Sequence, residues 1–121
     1  SLRRMLDPIK EHVDNNFNPL PAEYTKEFAS VRQKINDLMR MSCEQIETSR
    51  YENYHEILAE ADACKDELSV LRKKHIDRIQ HLSDNSLMQI SLVYLNVLQE
   101  SQEFLSVMRH QLRAAKKFME K

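Results

Sequence analysis

Residues 87–119 read LMQISLVYLNVLQESQEFLSVMRHQLRAAKKFM, a stretch that contains neither glycine nor proline. Apolar and small residues recur in it every three or four positions, which is the spacing of one face of an α-helix. The stretch therefore predicts one long amphipathic helix, following a turn at residues 83–85 and capped by Ser86 with Gln89 in a capping box. The predicted buried stripe consists of Leu87, Ile90, Tyr94, Val97, Ser101, Phe104, Met108, Leu112, Ala115 and Met119.

The rest of the chain has the same character, because its 121 residues include no glycine and only three prolines. An average protein contains about 7% glycine, which supplies tight turns and bulged strands. A chain without it is expected to form long helices joined by few turns. The glycine-rich loops that bind phosphates in nucleotide-dependent enzymes are excluded.

Two more helices are predicted, over residues 21–48 and 50–82. The second would begin at a capping box formed by Ser49 and Glu52. The stripe of the first consists of Tyr24, Phe28, Val31, Ile35, Leu38, Ser42 and Gln45. The stripe of the second consists of Tyr54, Ile57, Ala61, Cys64, Leu68, Leu71, His75 and Leu82.

The first residues predict a shorter helix, since Leu2, Met5, Leu6, Ile9, Val13 and Phe17 also follow helical spacing. Proline is accepted at the first position of a helix, so we expect this helix to start at Pro8, with Asp7 as its cap. Short connections between matched long helices favour antiparallel neighbours. The predicted fold is all-α: an antiparallel up-down three-helix bundle over residues 21–121, with a short extra N-terminal helix and linker over residues 1–20.

Composition limits the function classes. Lys and Arg number 18 against 19 Asp and Glu, which argues against a nucleic-acid partner. Cys43 and Cys64 have no CxxC spacing and predict reduced thiols in a cytoplasmic protein. No apolar run approaches the length of about 18 residues that a membrane span needs. The chain opens at Ser1 rather than at methionine, and we expect it to be a piece of something longer.

Two pairs of carboxylates are candidate metal ligands. Asp62 and Asp66 are spaced to share one helix face, and so are Glu100 and Glu103. Such pairs can bind a divalent or iron-type cation together. The alternative is a solvated charged face, which a chain with 31% charged residues produces readily.

Basic residues gather near the end of the last predicted helix and are candidates for binding a partner: Arg109, His110, Arg113, Lys116, Lys117 and Lys121. The alternative is that they compensate the helix dipole. The chain shows no HExxH motif and no nucleophile elbow, and the sequence predicts that it is not an enzyme. His75, on the apolar stripe, is expected to be a hydrogen-bonded interior residue.

The last helix carries a family resemblance. Residues 91–103, SLVYLNVLQESQE, and 108–118, MRHQLRAAKKF, resemble the final helix of the PhoU-like domain of bacterial sodium/phosphate cotransporters, and residues 60–68, EADACKDEL, are compatible with the helix before it. The resemblance implies a PhoU-like three-helix regulatory domain beside a membrane transporter domain of the same polypeptide. Proteins of this family often bind metal clusters through a Glu-x-x-x-Asp pair; the corresponding residues here are Gln99 and Glu103.

Taken with the helical pattern, the resemblance predicts a non-enzymatic regulatory domain of a sodium-dependent phosphate transporter, on the cytoplasmic side of the inner membrane. It would act through helix-mediated contacts with the transporter domain, and a homodimer stays open because periodicity does not separate contacts within one chain from contacts between chains. The alternatives are a free-standing interaction or dimerisation module unrelated to phosphate and, behind it, a metal-binding helical-bundle enzyme.

Overall fold

The protein folds as a bundle of four α-helices in a computed structural model that describes residues 2–120. The helices are Leu2–Phe17 (α1), Ala22–Thr48 (α2), Tyr54–Gln80 (α3) and Asn85–Met119 (α4). The described residues contain no strand, which confirms the all-helical prediction. Ser1 and Lys121 lie outside the described part of the chain.

Consecutive long helices run antiparallel, as ion pairs between them demonstrate. Glu27, early in α2, accepts a hydrogen bond from Lys74, late in α3. Asp62, early in α3, accepts one from Arg109, late in α4. The helices α2 and α4 each pack against the other three helices, and α4 does so most extensively. Its fully buried side chains include Tyr94, Leu98 and others: Val97, Phe104, Leu105, Met108 and Leu112.

The first helix shares the hydrophobic core of the other three, so the bundle contains four helices. Leu2, Leu6, Val13 and Phe17 are buried and belong to the same hydrophobic core as the other helices, whereas Met5 of the predicted stripe is 45% exposed. The helix begins at Leu2 rather than at Pro8, which lies inside it. Proline removes one backbone donor there. Burial of Leu2 and Leu6 on the N-terminal side of Pro8 favours continuing the helix through it.

The turn between α2 and α3 differs from the predicted capping box. Ser49 is the C-cap of α2 in the left-handed conformation, with φ of 55°, and α3 begins only at Tyr54. The backbone N–H of Arg50 donates to the carbonyl of Gln45 at 3.1 Å, which closes the end of α2. Glycine usually fills such a position, and a residue with a Cβ pays about 1–2 kcal/mol there. Ser49 therefore ends one helix and does not cap the next.

The start of α4 also uses a different cap from the predicted one. The carboxylate of Asp84 accepts hydrogen bonds from the backbone N–H of Ser86 at 2.8 Å and of Leu87 at 3.4 Å. Asp84 is thus the N-cap, and the predicted capping box of Ser86 with Gln89 is wrong. Leu87 and Met119, predicted in the stripe, are about half exposed at 50% and 55%. They occupy the end turns of α4, which is longer than its neighbour α3, with 35 against 27 residues.

Candidate functional site

Glu27 of α2 lies at the centre of a polar cluster that joins three helices. Its Oε1 accepts a hydrogen bond from the hydroxyl of Tyr94 on α4 at 2.9 Å. Its Oε2 accepts hydrogen bonds from Arg78 at 2.6 Å and from Lys74 at 3.1 Å, both on α3. Burial alone would raise the pKa of Glu27, but these hydrogen bonds outweigh it and leave that pKa lowered. Glu27 is therefore ionised at neutral pH.

Three rings pack directly beside this carboxylate. Tyr24 of α2 and Tyr94 of α4 stack with their centroids 4.5 Å apart, inclined by 18°. His75 of α3 meets both rings edge-on, at 5.2 Å from Tyr24 and 4.8 Å from Tyr94. Such ring pairs are stabilising beyond the area that they bury. Each of the three helices thus contributes one ring to the same contact.

The protonation state of His75 follows from its hydrogen bond. Its Nε2 lies 2.7 Å from the backbone carbonyl oxygen of Ser91, which can only accept, so Nε2 carries the proton and donates it. Its Nδ1 is buried and has no hydrogen-bond partner among the described residues. Burial lowers the pKa of His75, although the bond to Ser91 works against that shift. His75 is therefore neutral at pH 7, as a hydrogen-bonded interior residue, which confirms its predicted place.

The cluster stabilises helix packing. Burial and the hydrogen bond to Glu27 raise the pKa of Tyr94 far above its usual value, so its hydroxyl stays protonated and acts as a donor. The hydroxyl of Tyr24 pairs with Oγ of Ser91 at 3.1 Å. Sequence reasoning placed the two tyrosines and His75 in the core but did not identify Glu27. The available signal was its position between the stripe residues Tyr24 and Phe28.

A second feature is an open cleft of about 520 Å³ at the far end of α4. Four of the five predicted partner-binding residues with described positions line it: His110, Arg113, Lys116 and Lys117, which we call the basic end. Tyr54 of α3, Ala114 and Glu120 complete its wall. Nζ of Lys116 lies 5.0 Å from the Tyr54 ring centroid and is hydrogen-bonded to Glu120. The structure thus brings these four residues together; Lys121 is not described.

The cations of the basic end differ in whether they are already paired. Lys116 has its contacts with Tyr54 and Glu120, whereas Arg113 and Lys117 are exposed and form no salt bridge within residues 2–120. Unpaired exposed cations keep their full attraction for an external anion. The chemistry that this end offers is therefore the binding of negative charge.

Arg109, the fifth predicted partner-binding residue, contacts the protein itself. Its Nε donates to the backbone carbonyl of Leu58 at 3.3 Å, and its terminal nitrogen donates to the carboxylate of Asp62 at 3.1 Å. Both acceptors lie on α3. Arg109 therefore joins α4 to α3, and it pairs with one of the predicted metal ligands.

The four predicted metal ligands fall into two separate pairs. Asp62 and Asp66 lie on α3, whereas Glu100 and Glu103 line a groove between α1 and α4 together with His12. Nε2 of His12 lies 3.3 Å from Oε2 of Glu100. Within residues 2–120, no three His, Cys, Asp or Glu side chains are grouped so that they could hold a metal ion. Binding of a metal therefore stays a prediction from the sequence.

Cys43 and Cys64 are buried free thiols. Burial raises the pKa of both, which keeps them protonated and weakly nucleophilic at neutral pH. Cys64 occupies the core position that its place on the stripe predicted.

Comparison of the chain with protein-family models, curated proteins and solved structures finds no significant match. Of the helices formed by residues 2–120, none combines the length and apolar character needed to cross a bilayer.

Proposed function

We propose that this chain is a non-enzymatic regulatory domain of a sodium-dependent phosphate transporter and acts on the cytoplasmic side of the inner membrane. The proposal is supported by the resemblance of residues 91–103 and 108–118 to the last helix of PhoU-like domains. Those residues form most of α4, which packs most extensively against the rest of the bundle. The PhoU-like topology belongs to the same proposal, with α1 as an additional helix packed on the bundle.

The contrast between the two ends of α4 is the main support for a role in binding a partner. Toward its start, Tyr94 is fully buried and its hydroxyl is bonded to Glu27. Toward its C-terminal end, Arg113 and Lys117 are exposed and line an open cleft. Polar groups that bond one another hold the helices together, and exposed cations remain for a partner. In this proposal the partner is the membrane domain of the same polypeptide, whose transport the bundle biases.

The test uses the complete native polypeptide, expressed in cells that lack sodium-dependent phosphate uptake of their own. We expect radiolabelled phosphate uptake that depends on sodium, with a changed response to internal phosphate when the bundle is deleted. A variant with Arg113→Glu and Lys117→Glu should reproduce the effect of the deletion, whereas Lys26→Glu with Lys73→Glu, an equal charge change elsewhere, should not. The proposal would be rejected if the native polypeptide had no membrane spans. It would also be rejected if neither deletion of the bundle nor the substitutions at the basic end changed phosphate uptake.

One alternative has a specific observation in its favour, namely a self-associating module that is not connected with phosphate. Ala59 and Ala63 are exposed on α3, and Val70 on the same helix is 65% exposed. Small residues allow close approach of a second helix, and an exposed valine adds apolar area. Sedimentation equilibrium decides this case: a dimer that Val70→Lys dissociates supports self-association through α3, and a monomer at all concentrations rejects it.

A further inference from the structure

The last turn of α4 combines exposed apolar and basic side chains. Phe118 is 74% exposed, the largest value among the exposed large hydrophobic residues, and Met119 is 55% exposed. They follow directly on Lys116 and Lys117 of the basic end. We call Phe118 and Met119 the apolar tip. An exposed aromatic residue beside lysines is typical of helices that lie at a membrane interface.

Other basic residues lie at the same end of the bundle. The turn between α2 and α3 holds the exposed Arg50, and α3 begins at Tyr54 under Lys116. The helix α1 starts there as well, since Nε of Arg3 lies 4.0 Å from Oε1 of Glu47 near the end of α2. Basic side chains of more than one helix therefore lie at the end that carries the apolar tip, where Arg3 and Lys116 are paired with the carboxylates of Glu47 and Glu120. In the basic end, the cations left without a carboxylate partner among residues 2–120 are Arg113 and Lys117, and a phosphate-rich surface is complementary to them.

We infer that the basic end and the apolar tip of α4 dock on a bilayer surface that contains anionic lipids. Phe118 and Met119 enter the headgroup region, where the methylene and ring surfaces leave water. Arg113 and Lys117, which have no carboxylate partner among the described residues, bind the lipid phosphates. The inference relies on the proposed function only for the identity of the membrane, namely the one that carries the transporter.

Charge and apolar area make separate contributions that an experiment can resolve. Each Lys or Arg near an anionic bilayer adds about 1 kcal/mol, so two of them correspond to about 30-fold in binding. A phenylalanine side chain removed from water adds about 1.5–3 kcal/mol, or roughly 10-fold or more. A free phosphate ion, by contrast, would use the cations and gain nothing from Phe118. Binding that depends on both the cations and Phe118 therefore distinguishes a lipid surface from a soluble anion.

The experiment is co-sedimentation of the purified chain with vesicles of phosphatidylcholine, with and without phosphatidylglycerol. We expect binding to the anionic vesicles only, weakened by salt because the charges are exposed. Arg113→Gln with Lys117→Gln should lower the partition coefficient about 30-fold, and Phe118→Ser about 10-fold. The matched control is Lys26→Gln with Lys73→Gln, two exposed lysines on α2 and α3, which should leave binding unchanged.

Circular dichroism accompanies each variant, and the substituted residues are exposed, so that the fold stays intact in the comparison. A failure to bind anionic vesicles would overturn the inference, as would equal losses in the basic-end and control variants. Inorganic phosphate provides the second arm: if it binds with saturation at the basic end and Phe118→Ser leaves vesicle binding unchanged, the site takes a soluble anion and the membrane inference is wrong. If the chain binds anionic vesicles but Arg113→Glu with Lys117→Glu leaves phosphate uptake by the complete polypeptide unchanged, only the proposed transporter role is rejected.

Discussion

Replacement of Tyr94 by phenylalanine tests the polar cluster with the smallest change in shape. The substitution removes one hydroxyl and leaves the ring in place against Tyr24 and His75. That hydroxyl donates to the ionised carboxylate of Glu27 at 2.9 Å. A hydrogen bond to a charged group contributes about 1.5–3 kcal/mol to stability.

The structure selects the lower part of that range. Glu27 keeps its bonds from Arg78 and Lys74, and its side chain is 14% exposed, so some water reaches it after the hydroxyl is lost. We expect Tyr94→Phe to lower the free energy of unfolding by about 1.5 kcal/mol. For a chain of this length, that change lowers Tm by roughly 6 °C.

The assay is urea denaturation at pH 7, followed by the circular dichroism of the helices. Tyr24→Phe is the matched control, because it removes a hydroxyl that pairs with the neutral Ser91 Oγ and should cost only about 0.5–1 kcal/mol. The pKa of Glu27 is lowered in the folded protein, so its contribution is present above about pH 4.5 and is lost as the pH falls through the folded value. The difference between the two variants should therefore shrink in acid. Equal costs at pH 7, or a Tyr94→Phe protein as stable as the native chain, would refute the charged hydrogen bond.

Three further outcomes are expected from the same stability assay. The pKa of His75 is lowered by burial, so stability should decline as the pH falls below about 6.5, by at most about 1.4 kcal/mol per pH unit, and His75→Gln should flatten that decline; an unchanged slope would contradict the buried neutral ring. Asp84→Ala should lower the free energy of unfolding by about 1 kcal/mol through loss of the helix cap, with Ser86→Ala nearly neutral. A larger loss for Ser86→Ala than for Asp84→Ala would support the predicted capping box instead. Leu98→Ala should cost about 2–5 kcal/mol because Leu98 is fully buried, whereas Leu92→Ala, at 47% exposure, should change stability little; similar losses would place Leu98 outside the core.

Helical spacing predicted the long helices and most of their buried residues, because burial of one face determines that pattern. Ser42 and Gln45 illustrate its strength, since both are polar and yet buried as the stripe of α2 requires. The same logic fails for Leu87 and Met119, which keep the spacing but lie beyond the turns that neighbouring helices cover. Periodicity identifies a face and does not reveal where the neighbour ends.

Helix boundaries and the role of α1 depend on contacts between helices, which compete with local propensity and are not visible in the local sequence. Ser49 could cap a following helix or end the preceding one, and in the structure its backbone N–H bonds back to the carbonyls of Gln45 and Ile46, which is the second role. At Pro8, local propensity favours a helix start, but the buried Leu2 and Leu6 favour an earlier one. The place of Glu27 beside the stripe of α2 is visible in the sequence, but its partners Arg78 and Tyr94 are not, because they are far along the chain and meet it only when three helices assemble.

In the proposed arrangement the interior holds the bundle together and contacts form at the basic end of α4. Backbone ¹⁵N–¹H NMR spectra of the protein, recorded with and without bicelles that contain phosphatidylglycerol, distinguish these two regions residue by residue. We predict that signals of residues 110–119 shift, while those of Glu27, His75 and Tyr94 keep their positions. Shifts confined to the opposite end of the bundle, or centred on the Glu27 cluster, would show that the basic end of α4 is not the contact surface.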